Sequence, residues 1–289
     1  MDQQKFDGSD IFTELLNAIS SKDLVKLKQL TETYNLQEYM NLQTRDGMTP
    51  LNLAIYRGNL KIIKWISEYN LSSSANVPNI YKITPLHSAI YTGNLKIIKW
   101  ISKKYDFKPS ANLKDYLGRT PIYMAVKFAT LEAIKWLFKK YDLSSSINVQ
   151  NNRGITPFHY AVKRKDLEVI GWFLSIDKSR LFINNVDEDG ETPLHVAIEY
   201  RDLETVKCLG KHYNLLHSIC LKDSYGSTPL HLSVYYYENI EMIKWLGDNY
   251  DLSQSINLQT NNEKTVLHFA VENNAIKIVK YLLETLNKN

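Results

Sequence analysis

Apolar residues recur at helical spacing in pairs of short segments along the chain. Near the N-terminus, Ile11, Leu15 and Ile19 mark one segment, and Leu24 and Leu30 mark a second after a polar break. Apolar positions three or four residues apart lie on one face of a helix, so each segment predicts a short amphipathic helix. The pattern therefore predicts an all-α chain built from consecutive helix pairs.

A six-residue motif that matches or nearly matches Thr-Pro-Leu-His-x-Ala opens the first helix of most pairs. Its threonine can cap the exposed backbone amides of a helix, and its proline suits the first helical position. The threonines are spaced by 35 to 37 residues, which indicates an array of seven repeats. They are Thr49, Thr84, Thr120, Thr156, Thr192, Thr228 and Thr265.

The motif and its period resemble those of the ankyrin repeat family, whose T-P-L-H-x-A pattern recurs about every 33 residues. The resemblance implies an all-α solenoid of helix-turn-helix units joined by β-hairpin loops. We expect a flexible N-terminus at residues 1–10 and a single solenoid at 11–289, in which 11–40 form a degenerate N-terminal capping repeat. The seven full repeats are expected to start near residues 41, 76, 112, 148, 184, 220 and 257.

The residue after the first helix departs from the family pattern. In the first two repeats it is a glycine, Gly58 or Gly93, which readily adopts the left-handed backbone of a helix end. Any other residue that adopts the left-handed backbone there would lower the unfolding free energy by about 1 kcal/mol. The later repeats would avoid this cost if they used a different turn. The residues at this position of the later repeats are Ala129, Lys165, Arg201, Tyr237 and Asn274.

Charge is unevenly distributed although the net charge is only +4. Residues 42–180 carry 22 Lys/Arg and 9 Asp/Glu, whereas residues 181–250 carry 5 and 11. Two cysteines give no disulfide framework, and we find neither a signal peptide nor a transmembrane stretch. We therefore expect a cytoplasmic monomer without a membrane span.

Residues that might carry chemistry are better explained by the repeat. Five histidines occupy the same position of the motif in different repeats. In the family that this chain resembles, the imidazole at this position forms a hydrogen bond between neighbouring repeats. Five tryptophans share one slot of the second helices and are expected to pack in the core. The acidic run around Gly190 aligns with a hairpin tip and lacks the last ligand of a calcium loop. We expect no catalytic, cofactor or metal site, and no enzyme.

The resemblance implies that a partner protein binds the concave face, formed by the hairpin tips and the exposed ends of the first helices. Many side chains there are Tyr, Phe, Ile or Arg, which are common at interface hot spots. The predicted partner-binding residues are Tyr56, Arg57, Ile80, Tyr81, Tyr91, Tyr116, Leu117, Arg119, Lys127, Phe128, Arg153, Lys163, Arg164, Glu188, Glu191, Glu199, Tyr200, Tyr225, Tyr235 and Tyr236.

Three functions are compatible with this pattern. The first is a non-catalytic protein-binding scaffold, either a host-directed effector of an intracellular microbe or a cytosolic adaptor. The second is anion binding, to nucleic acid or acidic membrane, through lysines on the second helices of the basic middle repeats. Nucleic acid is disfavoured as the main partner, because a polyanion would meet Glu188, Glu191 and Glu199. The third is a substrate role, in which repeat asparagines such as Asn148 are hydroxylated.

Overall fold

A computed structural model describes residues 8–71, 73–176, 183–235 and 240–286. In these ranges every assigned element is a helix and no β-strand occurs, so the all-α prediction is confirmed. The chain divides into two compact units, 1–149 and 150–289, which are taken in turn. The single-solenoid organisation and the repeat boundaries stay predictions. Residues 1–7, most of the segment expected to be flexible, lie outside the described residues.

The first unit consists of four helix pairs. Its first helices, α1, α3, α5 and α7, pack side by side, and each also packs on the second helix of its own pair. Helix α1 begins three residues before Ile11, and its contact with α3 is compatible with the predicted cap. The helices are α1 (Gly8–Ser20), α2 (Leu24–Thr33), α3 (Pro50–Arg57), α4 (Leu60–Ile66), α5 (Pro85–Tyr91), α6 (Leu95–Lys104), α7 (Pro121–Phe128) and α8 (Leu131–Tyr141).

The second unit repeats the arrangement. Helices α9, α11, α13 and α16 pack side by side, and each contacts the helix that follows it in its own pair. A short helix, α15, precedes the last repeat. The helices are α9 (Pro157–Lys163), α10 (Leu167–Ile176), α11 (Pro193–Glu199), α12 (Leu203–His212), α13 (Pro229–Tyr235), α14 (Ile240–Asn249), α15 (Ser253–Ile256), α16 (Val266–Glu272) and α17 (Ile276–Leu286).

The repeated threonine starts the first helices as the motif predicts. In α5 the hydroxyl of Thr84 accepts a hydrogen bond from the His87 amide, and Pro85 is the first helical residue. The His87 side chain closes the cap, because its Nδ1 lies 2.8 Å from the Thr84 hydroxyl oxygen and accepts from the Thr84 amide. Two unsatisfied amides at the helix end are thereby bonded within the motif itself.

The histidines also join neighbouring repeats, as the resemblance implies. His195 Nε2 lies 3.2 Å from the Ser227 carbonyl oxygen, and His231 Nε2 lies 3.2 Å from that of Lys264. A carbonyl only accepts, so Nε2 carries the proton and Nδ1 is the acceptor. Burial lowers the pKa of both rings to about 4, which keeps them neutral at pH 7.

The loop after most second helices carries a Tyr and a Leu or Phe that pack it against the repeats. The Tyr105 hydroxyl donates to Ser67 Oγ of the preceding repeat at 2.9 Å. Leu71 is almost fully buried, and Leu143 and Leu215 are fully buried. The loops therefore add to the core although they lack long helices of their own.

The turns after the first helices use both of the predicted solutions. Lys165, Arg201 and Asn274 keep the left-handed backbone, with φ of 58°, 55° and 55°. Ala129 instead takes an extended backbone with φ of −109°, so the third repeat uses a different turn. Tyr237, the remaining substitution, lies outside the described residues.

The hairpin loops are tight turns whose tips are bonded to one another. An Asn or Asp at the start of most turns accepts backbone amides; Asp187 Oδ1, for example, accepts from the amides of Asp189 and Glu191. Successive tips then form a ladder, in which the Tyr116 amide donates to the Tyr81 carbonyl at 2.9 Å. This ladder fixes the height of each tip relative to its neighbour, and so positions the side chains of the candidate site.

Candidate functional site

The first unit carries a row of aromatic rings at the ends of its first helices. Tyr56 stacks on Tyr91, with ring centroids 5.3 Å apart and planes 18° apart, and Tyr91 contacts Phe128 at 4.8 Å. The three predicted residues come from α3, α5 and α7. Tyr56 and Tyr91 are exposed, while Phe128 is half-buried. We call Tyr56, Tyr91 and Phe128 the aromatic row.

A second exposed apolar cluster lies on the hairpin tips of the same unit. Tyr81 and Tyr116 contact each other at 5.5 Å between ring centroids. Their neighbours Ile80 and Leu117 are also exposed, at 59 % and 38 %. Ile80, Tyr81, Tyr116 and Leu117 form the tip cluster. Apolar side chains at solvent-facing positions of this density are typical of surfaces that bind another protein.

The cationic residues predicted in this unit differ in their environment. Arg57 is exposed at the end of α3. Arg119 is mostly buried: its guanidinium donates from Nε and Nη2 to Asp115 Oδ2, at 2.7 and 2.6 Å. The Lys127 ammonium lies 5.1 Å from the centroid of the Phe128 ring, and burial lowers its pKa. Arg119 is therefore held by its own hairpin, whereas Arg57 and Lys127 lie beside the aromatic row.

In the second unit, basic residues line one part of the predicted face. Lys163 Nζ lies 5.1 Å from the centroid of the Tyr200 ring, and the Tyr200 hydroxyl raises the lysine pKa. Arg164 pairs with Asp166 at 3.6 Å, and Arg153 forms a close ion pair with Glu188. The charges of Arg153 and Glu188 thus compensate each other locally, which a count of charges along the chain does not show.

The acidic part of this face centres on Glu191. Burial, together with the charges of Glu199, Asp187 and other carboxylates, raises the pKa of Glu191 to about 7. Burial also raises the pKa of Glu199, against the effect of Lys163. Among the described residues no cationic group lies within ion-pair distance of Glu191. Glu191 is therefore a partly buried carboxyl that a cation from outside could stabilise.

Glu191 and two predicted tyrosines border a cleft of about 330 Å³. Tyr225 is 71 % exposed and Tyr235 is 55 % exposed. Tyr235 makes a perpendicular contact with Phe269, at 5.6 Å between ring centroids. Phe269 is a lining residue that the sequence did not single out, because it occupies the variable position of the motif in the last repeat. Tyr236, the last predicted partner-binding residue, lies outside the described residues.

Cysteine and metal chemistry have little support in this arrangement. Both Cys208 and Cys220 are half-buried free thiols, and burial raises the pKa of each. A raised pKa disfavours the reactive thiolate. In the part of the chain that the structure describes, no three His, Cys, Asp or Glu side chains are placed to hold a metal ion.

A separate cleft lies among the lysines of α6, of the loop that follows α6, and of α8. It measures about 350 Å³ and is bordered by Lys103, Lys104, Lys108 and Lys140, with Asp106 beside them. Other lysines of the second helices are also exposed, and Lys99 pairs with Glu132 at 3.2 Å. This basic surface belongs to the second helices, whereas the aromatic row lies at the ends of the first.

Paired helices that stack on neighbours through capped N-termini and histidine bonds define an α-helical repeat protein. A family model described as ankyrin repeats (3 copies) matches the chain repeatedly, at residues 15–112, 73–148, 107–184, 124–216, 180–257 and 212–289. The chain belongs to the ankyrin repeat family. Ankyrin repeats are generally protein–protein interaction modules, and the family is typically non-catalytic. A comparison with curated proteins found no match.

None of the helices that the structure describes combines the length and the apolar character needed to cross a bilayer.

Proposed function

We propose that this chain is a non-catalytic scaffold that binds a segment of a partner protein on the face formed by its hairpin tips and first-helix ends. The observation that carries the proposal is the aromatic row of the first unit, together with the tip cluster. Five of these seven apolar side chains belong to Tyr or Phe, and their rings contact one another in three pairs. Burying such rings against a partner supplies most of the binding energy at many interfaces.

Charged residues of the second unit would determine the direction in which the same partner segment binds. Lys163 and Arg164 favour an acidic stretch, and Glu191 and Glu199 favour a basic one. Charge complementarity of this kind selects a partner and its direction more than it adds affinity. We propose a monomer located in the cytoplasm, acting as an adaptor or as an effector delivered to a host cell.

The test is affinity capture from whole-cell lysate at low and high salt, with three baits. The first is the wild-type chain, and the second carries Tyr56→Ala, Tyr91→Ala and Phe128→Ala. The third is a control with the same number of substitutions on the second helices, Lys103→Ala, Lys104→Ala and Lys140→Ala. Thermal melts followed by circular dichroism must first show that both variants are folded.

The proposal expects a captured protein that tolerates high salt, remains with the lysine variant and is lost with the aromatic variant. Contacts between apolar rings depend little on ionic strength, whereas phosphate contacts weaken steeply with it. Capture that survives the aromatic variant but disappears with the lysine variant and with salt would contradict the proposal.

That contrary outcome is the result expected of a second candidate function, anion binding. The cleft bordered by Lys103, Lys104, Lys108 and Lys140 is the observation that favours it, because four ammonium groups there can neutralise an acidic lipid headgroup or a phosphate backbone. Asp106 lies in the same cleft, and its negative charge would disfavour a bound anion. We therefore place protein binding first.

A further inference from the structure

The cleft bordered by Glu191, Tyr225, Tyr235 and Phe269 has the chemistry of a receptor for one particular side chain. Its walls are aromatic and its rim is acidic, with Asp223 beside Glu191. Asp223 Oδ1 already accepts the Tyr225 and Ser227 amides, at 2.9 and 2.7 Å. The Glu191 carboxyl makes no such bond among the described residues.

An independent observation comes from Thr260, which also borders the cleft. Thr260 is only 8 % exposed, and its hydroxyl oxygen has no hydrogen-bond partner among the described residues. Thr44, in the same position of the first hairpin, accepts the Met48 amide at 3.0 Å instead. A buried hydroxyl without a partner is costly, so a polar group from outside the chain that bonds it would be favoured. Thr260 therefore indicates a bound group with hydrogen-bond donors.

The cations already present do not supply that group. Lys264, whose ammonium lies 5.8 Å from the centroid of the Phe269 ring, is held by Glu272 at 2.8 Å. His231, which also contacts the Phe269 ring, is neutral at pH 7 and donates its Nε2 proton to the Lys264 carbonyl. The Glu191 carboxyl, which an incoming cation would favour in its ionised form, thus remains available to a ligand.

We infer that this cleft binds an arginine side chain of the partner protein. A guanidinium is planar and more weakly hydrated than an ammonium, so it stacks well on aromatic rings such as Tyr225 and Phe269. Its five N–H donors can bond the Glu191 carboxylate in a bidentate manner and leave further donors for polar groups of the cleft wall, whereas a lysine ammonium acts as a point charge. The inference rests on the proposed function, since it assigns one residue of the partner's binding segment.

The inference is tested without the partner, by nuclear magnetic resonance titration of the full chain. The probes are Nα-acetyl-arginine amide, Nα-acetyl-lysine amide and the neutral isostere Nα-acetyl-citrulline amide. We expect the arginine probe to give saturable shifts at the amides of Glu191, Tyr225 and Phe269, with a Kd on the order of millimolar. The lysine probe should bind more weakly, and the citrulline probe should give no saturable shift.

Two variants and a control locate the binding. Glu191→Gln should weaken the arginine probe by about tenfold, as expected for a lost hydrogen bond to a charged group. Thr260→Val removes a hydroxyl that has no partner among the described residues, so it should weaken the probe without lowering the melting temperature. Glu204→Gln, at an exposed glutamate paired with Lys207 on α12, should leave binding unchanged.

Equal binding of the lysine and arginine probes would overturn the assignment to arginine. Shifts that do not saturate, or that persist unchanged in Glu191→Gln, would overturn the site altogether. Either failure leaves the capture experiment unaffected, because that experiment perturbs only the aromatic row of the first unit. Conversely, loss of the proposed function would appear in capture and not in this titration.

Discussion

Acid should destabilise this protein well above the pH at which its carboxylates are protonated, because its repeats are joined by buried neutral histidines. His87, His195 and His231 have pKa values lowered to about 4 by burial. The ordinary value in an unfolded chain is about 6.5. Below pH 6.5 the unfolded chain therefore binds protons that the folded chain does not, and stability falls as the pH falls toward 4.

The magnitude follows from the difference in pKa. At pH 5.5 an unfolded histidine is mostly protonated while the buried one is mostly neutral, which costs roughly 1 to 2 kcal/mol for each ring. Three rings together cost about 4 kcal/mol, a large part of the unfolding free energy of an ordinary protein. Glu191 acts in the opposite direction, since its raised pKa stabilises the fold as the pH falls from 7 toward 4.5.

The assay is urea unfolding followed by circular dichroism at pH 7.5 and 5.5. A histidine is removed by His195→Asn, because Asn52 occupies the same slot in the first repeat and donates to the Ile83 carbonyl at 3.4 Å. The fall in unfolding free energy between pH 7.5 and 5.5 should be roughly 1 to 2 kcal/mol smaller for this variant than for the wild type, whatever its stability at pH 7.5. The control is His212→Gln, outside the histidine slot. An identical fall in stability between the two pH values for His195→Asn and the wild type would refute the reasoning.

Three further predictions concern the hairpins, each checked by thermal melts and urea unfolding. Lys82→Gly should raise the unfolding free energy by about 1 kcal/mol, because Lys82 has a φ of 57° where most repeats have glycine; no gain would mean that the lysine side chain compensates. Gly154→Ala should lower it by more than about 1 kcal/mol, since the new Cβ would lie 2.6 Å from the Glu188 amide nitrogen; a neutral effect would contradict the close packing of the tips. Asp115→Asn should cost about 1 to 3 kcal/mol, because it keeps the turn but removes the charge that pairs with buried Arg119; an unchanged melt would show that the pair adds nothing.

The helices and the hydrogen bonds of the motif could be predicted from the sequence because the same local signal recurs in successive repeats. The Thr-Pro-Leu-His motif specifies a cap, a first helical residue and a histidine bond, and the bonds of His87 and His195 confirm it. The packing of Tyr105 on the preceding repeat was predictable for the same reason. A local signal that recurs at one spacing fixes local structure and contacts between neighbours.

Features specific to one repeat were harder to predict. Lys82 fills a glycine position in a hairpin, but the sequence alone does not show that it keeps the left-handed backbone. The sequence predicts Arg119 as an exposed tip residue, whereas in the structure it forms an ion pair with Asp115, four residues earlier. Phe269 becomes part of a cleft only because Tyr235 of the preceding repeat lies against it. Such pairings depend on side-chain direction between repeats, which a repeat period does not encode.

The most direct test of the central claim is photo-crosslinking with a benzophenone side chain placed at single positions of the chain. Tyr91 and Tyr116 report on the aromatic row and the tip cluster, while Lys64 and Lys139 report on the second helices. The proposal predicts that a captured protein crosslinks through Tyr91 and Tyr116, within one short segment of its own sequence, and not through the lysine positions. Crosslinks confined to Lys64 and Lys139 would show that the partner binds the second helices, and would contradict the proposed site.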